Sequence, residues 1–148
     1  MGLFRLFGTM ILLAYAPNLW ASGSPADNRI VVDINNLRNN HGIVLCLLFA
    51  SAEGFPGDRS QAVNKTAGKI ADGKASCRFS GMPTGTYAVS YIHDENGNHH
   101  FDKGFFGIPV EGYGFSNNAR GFLGPPKFDK AIFEFHGGVM AMPLKTSY

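Results

Sequence analysis

An all-β fold, a single antiparallel sandwich of about seven strands, is predicted by three observations on this 148-residue chain. Apolar residues come in short runs that either alternate with polar ones or continue over one strand length. Turn signals built on Gly, Asn, Asp and Pro separate those runs at intervals of roughly 8–12 residues. No segment sustains a long helical period of apolar residues.

The elements follow in order. Ile30, Val32 and Ile34 alternate with polar or weakly apolar neighbours and open the series as a half-buried strand. Asn39-Asn40-His41-Gly42 turns the chain, because Asn and Gly tolerate positive φ. Residues 43–49 are apolar almost throughout, the pattern of a strand covered on both faces. Glu53-Gly54-Phe55-Pro56-Gly57-Asp58 reads as a loop, followed by one helical turn near residues 60–64. Strands at 66–71 and 75–79 flank the hairpin dipeptide Asp72-Gly73. After the turn at 81–85, a strand at 86–93 places Tyr87, Val89 and Tyr91 on one face. Residues 131–135 and 139–144 read as a closing hairpin around Gly137-Gly138. The exception is 103–127, with six glycines, three prolines and the aromatics Phe105, Phe106, Tyr113, Phe115 and Phe122. Such a long irregular stretch either packs down as a lid or presents a surface.

The N-terminus reads as an export signal. Arg5 precedes an apolar run at 6–16, Pro17 breaks it, and small residues follow from Ala21. The run has about 11 residues where a bilayer span needs about 20, so no stable membrane insertion is expected after cleavage. Cleavage after Ala21 or Gly23 leaves a disordered lead at 22–28 and a domain at 29–148. That organisation implies a periplasmic or secreted protein. The formal charge of the whole chain is only +2, and cleavage removes Arg5, which argues against nucleic acid as a partner. Cys46 and Cys77 are the two cysteines, and an oxidising compartment favours a disulfide between them. The alternative is a pair of buried thiols.

Chemistry concentrates at Asp94-Glu95-Asn96-Gly97-Asn98-His99-His100-Phe101-Asp102. Asp94, Asn96 and Asn98 match the first three ligand positions of a calcium loop. His100 offers its backbone carbonyl, and Asp102 takes the ninth position. Gly97 and Phe105 depart from the EF-hand pattern, and Glu111 is the nearest acid for a bidentate contact. Asx turns alone account for the same residues. Zinc or copper through His93, His99 and His100 is a further option, opposed by the opposite directions of adjacent side chains on extended backbone. Glu111 with Asp94, Asp102 or Asp129 forms a candidate acid–base pair for a hydrolase or isomerase. Being the only acid between Asp102 and Asp129, Glu111 is also expected to tie the Gly-rich segment to the Asp94 loop. Ser116 lacks a G-x-S-x-G setting.

Three stretches then carry a resemblance. They are Gly85-Thr86-Tyr87-Ala88-Val89, His93-Asp94-Glu95-Asn96-Gly97-Asn98, and Phe106-Gly107-Ile108-Pro109-Val110-Glu111-Gly112-Tyr113-Gly114-Phe115-Ser116-Asn117. Gly124-Pro125-Pro126-Lys127-Phe128-Asp129 extends the similarity, with Leu48-Phe49 and Glu53-Gly54-Phe55-Pro56 earlier. The chain resembles the exported bacterial proteins grouped as domain of unknown function 2141. The resemblance implies an exported all-β domain, prealbumin-like or immunoglobulin-like, and attaches no activity or catalytic residue. That family pattern often has Gly where this chain has His99, which weighs against a histidine-held ion.

The expected function is binding. Loops at one end, ordered around each other by calcium or by Asx turns, would present Phe105, Phe106, Tyr113 and Phe115, with Glu111 beneath, to a protein or a small apolar ligand. An acid–base enzyme and a purely structural envelope module are the alternatives.

Overall fold

In a computed structural model of the chain, the structure describes residues 28–148. The expected signal segment at 1–21 and the lead up to residue 27 lie outside the described residues. In chain order the elements are β1 (Arg29–Asn35), β2 (Ile43–Phe49), β3 (Asn64–Gly68), β4 (Ile70–Ala71) and β5 (Lys74–Ser80). β6 (Gly85–Asp94), β7 (Gly112–Phe115), α1 (Phe128–Ala131), β8 (Phe133–Phe135) and β9 (Val139–Lys145) complete them. One sheet has the order β4-β5-β1-β9, and the other β3-β2-β6-β7 with β8 also paired to β6. Among the described residues, nine strands therefore stand where about seven are predicted.

The two sheets face each other across one core, because each strand turns alternate residues inward. Ile30, Val32 and Ile34 of β1 meet Val44, Cys46 and Leu48 of β2 and Tyr87, Val89 and Tyr91 of β6. Cys46 and Cys77 belong to opposite sheets and stand at disulfide distance, with Cα atoms 6.4 Å apart and no cysteine left free. Asp72 and Gly73 (φ 51° and 67°) close the β4–β5 hairpin with Ala71 paired to Lys74, the two-residue turn that suits strand twist.

Four predicted elements need correction, the first being the strand at 66–71, which is split at Lys69 into β3, paired with β2, and β4, paired with β5 in the other sheet. The C-terminal hairpin does not form. β8 pairs with β6 through Gly85↔Phe135, whereas β9 runs parallel to β1 through Ile30↔Met140 in the other sheet. Gly137 and Gly138 (φ 90° and 71°) carry the chain from one sheet to the other. The β1–β9 pair is thus parallel inside an otherwise antiparallel fold. No helical turn forms at 60–64, where the Asp58 carboxylate accepts from the Ser60 N–H at 2.9 Å and its hydroxyl at 2.6 Å. Among the described residues, the single α-helical turn lies at α1 instead. Finally, the irregular stretch 103–127 contains a strand, β7, paired with β6 from Ser90↔Phe115 to His93↔Gly112.

β7 and β8 share β6 along its length, and Ser116 fills the gap between them. Its buried hydroxyl accepts from the Val89 N–H at 2.9 Å and donates to the Ala131 carbonyl at 2.5 Å. Over the outer face of this sheet, Phe55 packs against Phe49, Phe115 and Phe128 at ring separations of 5.5, 6.0 and 5.6 Å. That second cluster covers only part of the face, and the rest forms the site described next.

Candidate functional site

The loop after β6 is organised by two buried carboxylates. Asp94 accepts the N–H groups of Gly97 (2.8 Å) and Asn98 (3.1 Å) on Oδ1 and that of His99 (2.8 Å) on Oδ2. Glu111 reaches in from the Gly-rich segment, accepting from the Glu95 N–H at 3.0 Å and the Asp102 N–H at 3.1 Å. The two acids thus clamp both ends of one turn. Gly42 (φ 69°) presses on the same place, where an added Cβ would lie 1.8 Å from the Asp94 carbonyl oxygen. Only glycine fits that contact.

The five residues read as calcium ligands sit together in sequence but direct their atoms to one another. Asn96 Oδ1 accepts from the Asn98 N–H at 3.0 Å, and Asn98 Oδ1 accepts from the His100 N–H at 2.8 Å. Both side-chain amides donate to Asp102 Oδ2, at 2.7 and 2.9 Å. Among the described residues, no group of three or more His, Cys, Asp or Glu side chains is placed to hold a metal ion. His93 is remote from His99 and His100 in role. It is fully buried, with Nε2 2.9 Å from the His41 carbonyl and Nδ1 2.8 Å from the Tyr148 hydroxyl. A carbonyl only accepts, so Nε2 carries a proton towards His41.

Around that histidine a polar cluster ties down the C-terminus. The Tyr148 hydroxyl accepts from the Arg38 N–H at 2.9 Å, and the Arg38 guanidinium stacks 4.5 Å from the Tyr148 ring centroid. Arg38 also pairs with Glu95 at 2.6 Å and donates to the Val110 carbonyl at 2.8 Å. Burial works to raise the Glu95 carboxyl, but hydrogen bonds from Asn39 and Arg38 and the Arg38 charge outweigh it and hold it below its ordinary value. On the core side, burial pushes the Tyr91 hydroxyl up to about 12.

Beside this anchored end, the outer face of the second sheet carries a cleft of about 900 Å³. Strand alternation explains its floor: Leu45 and Leu47 of β2, Ile92 of β6 and Tyr113 and Phe115 of β7 all point away from the core. Glycine at 112 and 114 makes β7 possible, since a Cβ on Gly114 would lie 2.4 Å from the Tyr91 ring. One wall is Phe106, Gly107, Ile108 and Pro109, and the other is Gly121, Leu123, Gly124 and Pro125. The charged side chains at the cleft are Arg59 and Lys103, joined by His99 and His100, and no Asp or Glu lines it.

Of the predicted ligand-binding residues, Tyr113, Phe115 and Phe106 border this cleft. Phe105 is 91 % exposed and turned away, and Glu111 is buried outside the lining. Asp94, Asp102 and Asp129 also lie outside the lining of this cleft. Sequence reasoning missed Leu45, Leu47, Ile92, Arg59 and Leu123. A signal for the floor was present in β2, whose apolar residues on both faces require a cover on each side. Among the described residues, no helix is long and apolar enough to cross a membrane. No curated protein and no solved structure matches the chain. Over residues 32–142 it matches the family described as "uncharacterized protein conserved in bacteria" (DUF2141), and it belongs to that family.

Proposed function

We propose that this chain is an exported binding module, periplasmic or secreted, that holds a small apolar ligand bearing an anionic group. The observation that carries the reading is the cleft: about 900 Å³, an aliphatic and aromatic floor, and a rim of Arg59 and Lys103 with no carboxylate. Ligand sites typically occupy about 300–1,000 Å³, with mostly apolar lining and few polar groups. Export is supported by the basic, apolar and small-residue order of the N-terminus and by a cysteine pair at disulfide distance. Two sheets packed face to face, joined through Cys46 and Cys77, support an immunoglobulin-like or prealbumin-like sandwich.

Titration calorimetry with octanoate, octanol and acetate tests the binding reading. Octanoate should bind measurably, octanol more weakly, and acetate not at all. Equal affinities for octanoate and acetate, or no heat with octanoate, would remove the reading.

Calcium at Asp94, Asn96, Asn98, His100 and Asp102 is a weaker proposal. An ion there would have to displace the amides of Asn96 and Asn98 from Asp102 and compete with three N–H groups for Asp94. Melting with millimolar calcium against chelator discriminates it, since a bound ion stabilises by RT ln(1 + [L]/Kd). An acid–base hydrolase or isomerase through Glu111 with Asp94, Asp102 or Asp129 is weaker again, because both Glu111 oxygens accept backbone N–H groups. A structural envelope module would leave the cleft without a ligand.

A further inference from the structure

The two walls of the cleft end in tips of the same local sequence. Lys103-Gly104-Phe105-Phe106-Gly107 and Arg120-Gly121-Phe122-Leu123-Gly124 share the order cation, Gly, Phe, large apolar residue, Gly. They share a backbone feature too. Phe106 and Leu123, the fourth residues of the two motifs, both sit in the left-handed region, at φ 59° and 57°. That conformation costs a non-glycine residue energy. At both tips it accompanies side chains held out in water: Phe105 is 91 % exposed, Phe106 100 %, Phe122 93 % and Leu123 93 %. Phe106 and Leu123 line one cleft, and Phe105 and Phe122 immediately precede them in the chain, so both tips belong to one end of the molecule.

Within residues 103–127 the exposed charges have a single sign. Between Asp102 and Asp129 the only acid is Glu111, which is buried and faces the Glu95 and Asp102 amides. Lys103, Arg120 and Lys127 are exposed along the same stretch. A large exposed apolar residue two or three positions after a cation is the arrangement that sinks into the acyl boundary while the cation stays at the headgroups. We propose that the two tips dock this end of the protein on an anionic lipid bilayer, with Phe105, Phe106, Phe122 and Leu123 inserted and Lys103, Arg120 and Lys127 on lipid phosphates. The proposal stands whether or not the cleft holds a ligand. Charge complementarity favours an anionic bilayer as the occupant, since the exposed charges within residues 103–127 are Lys103, Arg120 and Lys127.

Trp20, the sole tryptophan, lies in the expected signal segment, so the processed chain from residue 22 is a silent background for a reporter and lacks the apolar run at 6–16 that would itself bind vesicles. Single tryptophans are placed by Phe106→Trp, by Phe122→Trp and, as a control, by Val139→Trp. Val139 is 56 % exposed and lies two residues after Gly137, where an added Cβ would come within 3.7 Å of Thr84 in the turn at the opposite end of β6 from Asp94. Emission is read with vesicles of phosphatidylcholine alone and with about one third phosphatidylglycerol, and anionic lipid is expected to draw in the basic tips. The proposal expects a blue shift at 106 and at 122 on anionic vesicles, little on neutral ones, and none at 139. Lys103→Gln with Arg120→Gln should weaken the partitioning that produces the shift by about thirtyfold, from about a factor of five for each cation near the surface. All sites are exposed, and unchanged melting of the variants confirms folding. Vesicle-bound protein without a blue shift at 106 and 122, equal shifts at all three positions, or equal shifts on neutral vesicles would overturn it. A shift that needs an added protein fraction instead of lipid would overturn it in favour of a protein partner.

Discussion

Glu111 holds N–H groups that are seven residues apart in the chain, those of Glu95 and Asp102. In Glu111→Gln one oxygen still accepts, but the new amide group faces the second N–H as donor against donor. Charge-assisted contacts of this kind are worth about 1.5–3 kcal/mol, and the variant should lose stability of that order. Limited proteolysis should then cut within 103–127, because the Gly-rich segment opens before the sheets do. Unchanged melting and an unchanged cleavage pattern would contradict the clamp. Glu95 makes a prediction in pH. Its folded carboxyl lies below the ordinary value of 4.5, so its contribution is present above that value and is lost as pH falls through the lower folded value. The stability difference between wild type and Glu95→Gln should be flat above about pH 5 and shrink in acid. A difference that grows in acid would contradict the sign.

At the scale of elements, Ser116 replaces a missing stretch of sheet. Its hydroxyl bonds the Val89 N–H and the Ala131 carbonyl where neither β7 nor β8 pairs with β6. Ser116→Ala leaves both buried groups without that partner, at about 1–3 kcal/mol for each, and should lower the melting temperature by several degrees. Ser116→Thr, which keeps the hydroxyl, separates loss of the bond from crowding. Melting of Ser116→Ala equal to wild type would remove Ser116 from this role. What sequence reveals differs sharply between elements. β1 and the Asp72-Gly73 turn are legible because periodicity and turn chemistry act locally. β7 is not, since Gly112 and Gly114 erase the alternation that marks a strand; a side chain at 112 would meet Thr146 and Tyr148, and one at 114 the Tyr91 ring on the paired strand. The partner of β9 is equally hidden. Gly137-Gly138 supports a tight turn or a crossing between sheets, and only packing of Met140, Met142 and Leu144 on the core selects the crossing.

For the whole molecule, the inward faces of both sheets build the core and the outward face of one sheet builds the site. Cys46 and Cys77 stand at disulfide distance across the layers over a sequence separation of 31, and a bond there would close a loop worth roughly 3–4 kcal/mol in the chain-entropy model. Such a frame holds the β2–β6–β7 floor rigid while the two tips project from its end. The aromatic half of the cleft was legible as a Gly-rich segment with too many exposed aromatics. The aliphatic half was not, because Leu45, Leu47 and Ile92 look like ordinary strand residues until the sheet fixes which face the loops leave open.

Amide chemical-shift mapping during an octanoate titration tests the central claim most directly. Saturable shifts should concentrate at Leu45, Leu47, Ile92 and Tyr113 and at the wall residues Phe106, Ile108 and Leu123, while Ile30, Val32 and Cys77 across the core stay unmoved. Shifts that do not saturate, or that fall on the β5–β1–β9 sheet instead of the cleft, would contradict it.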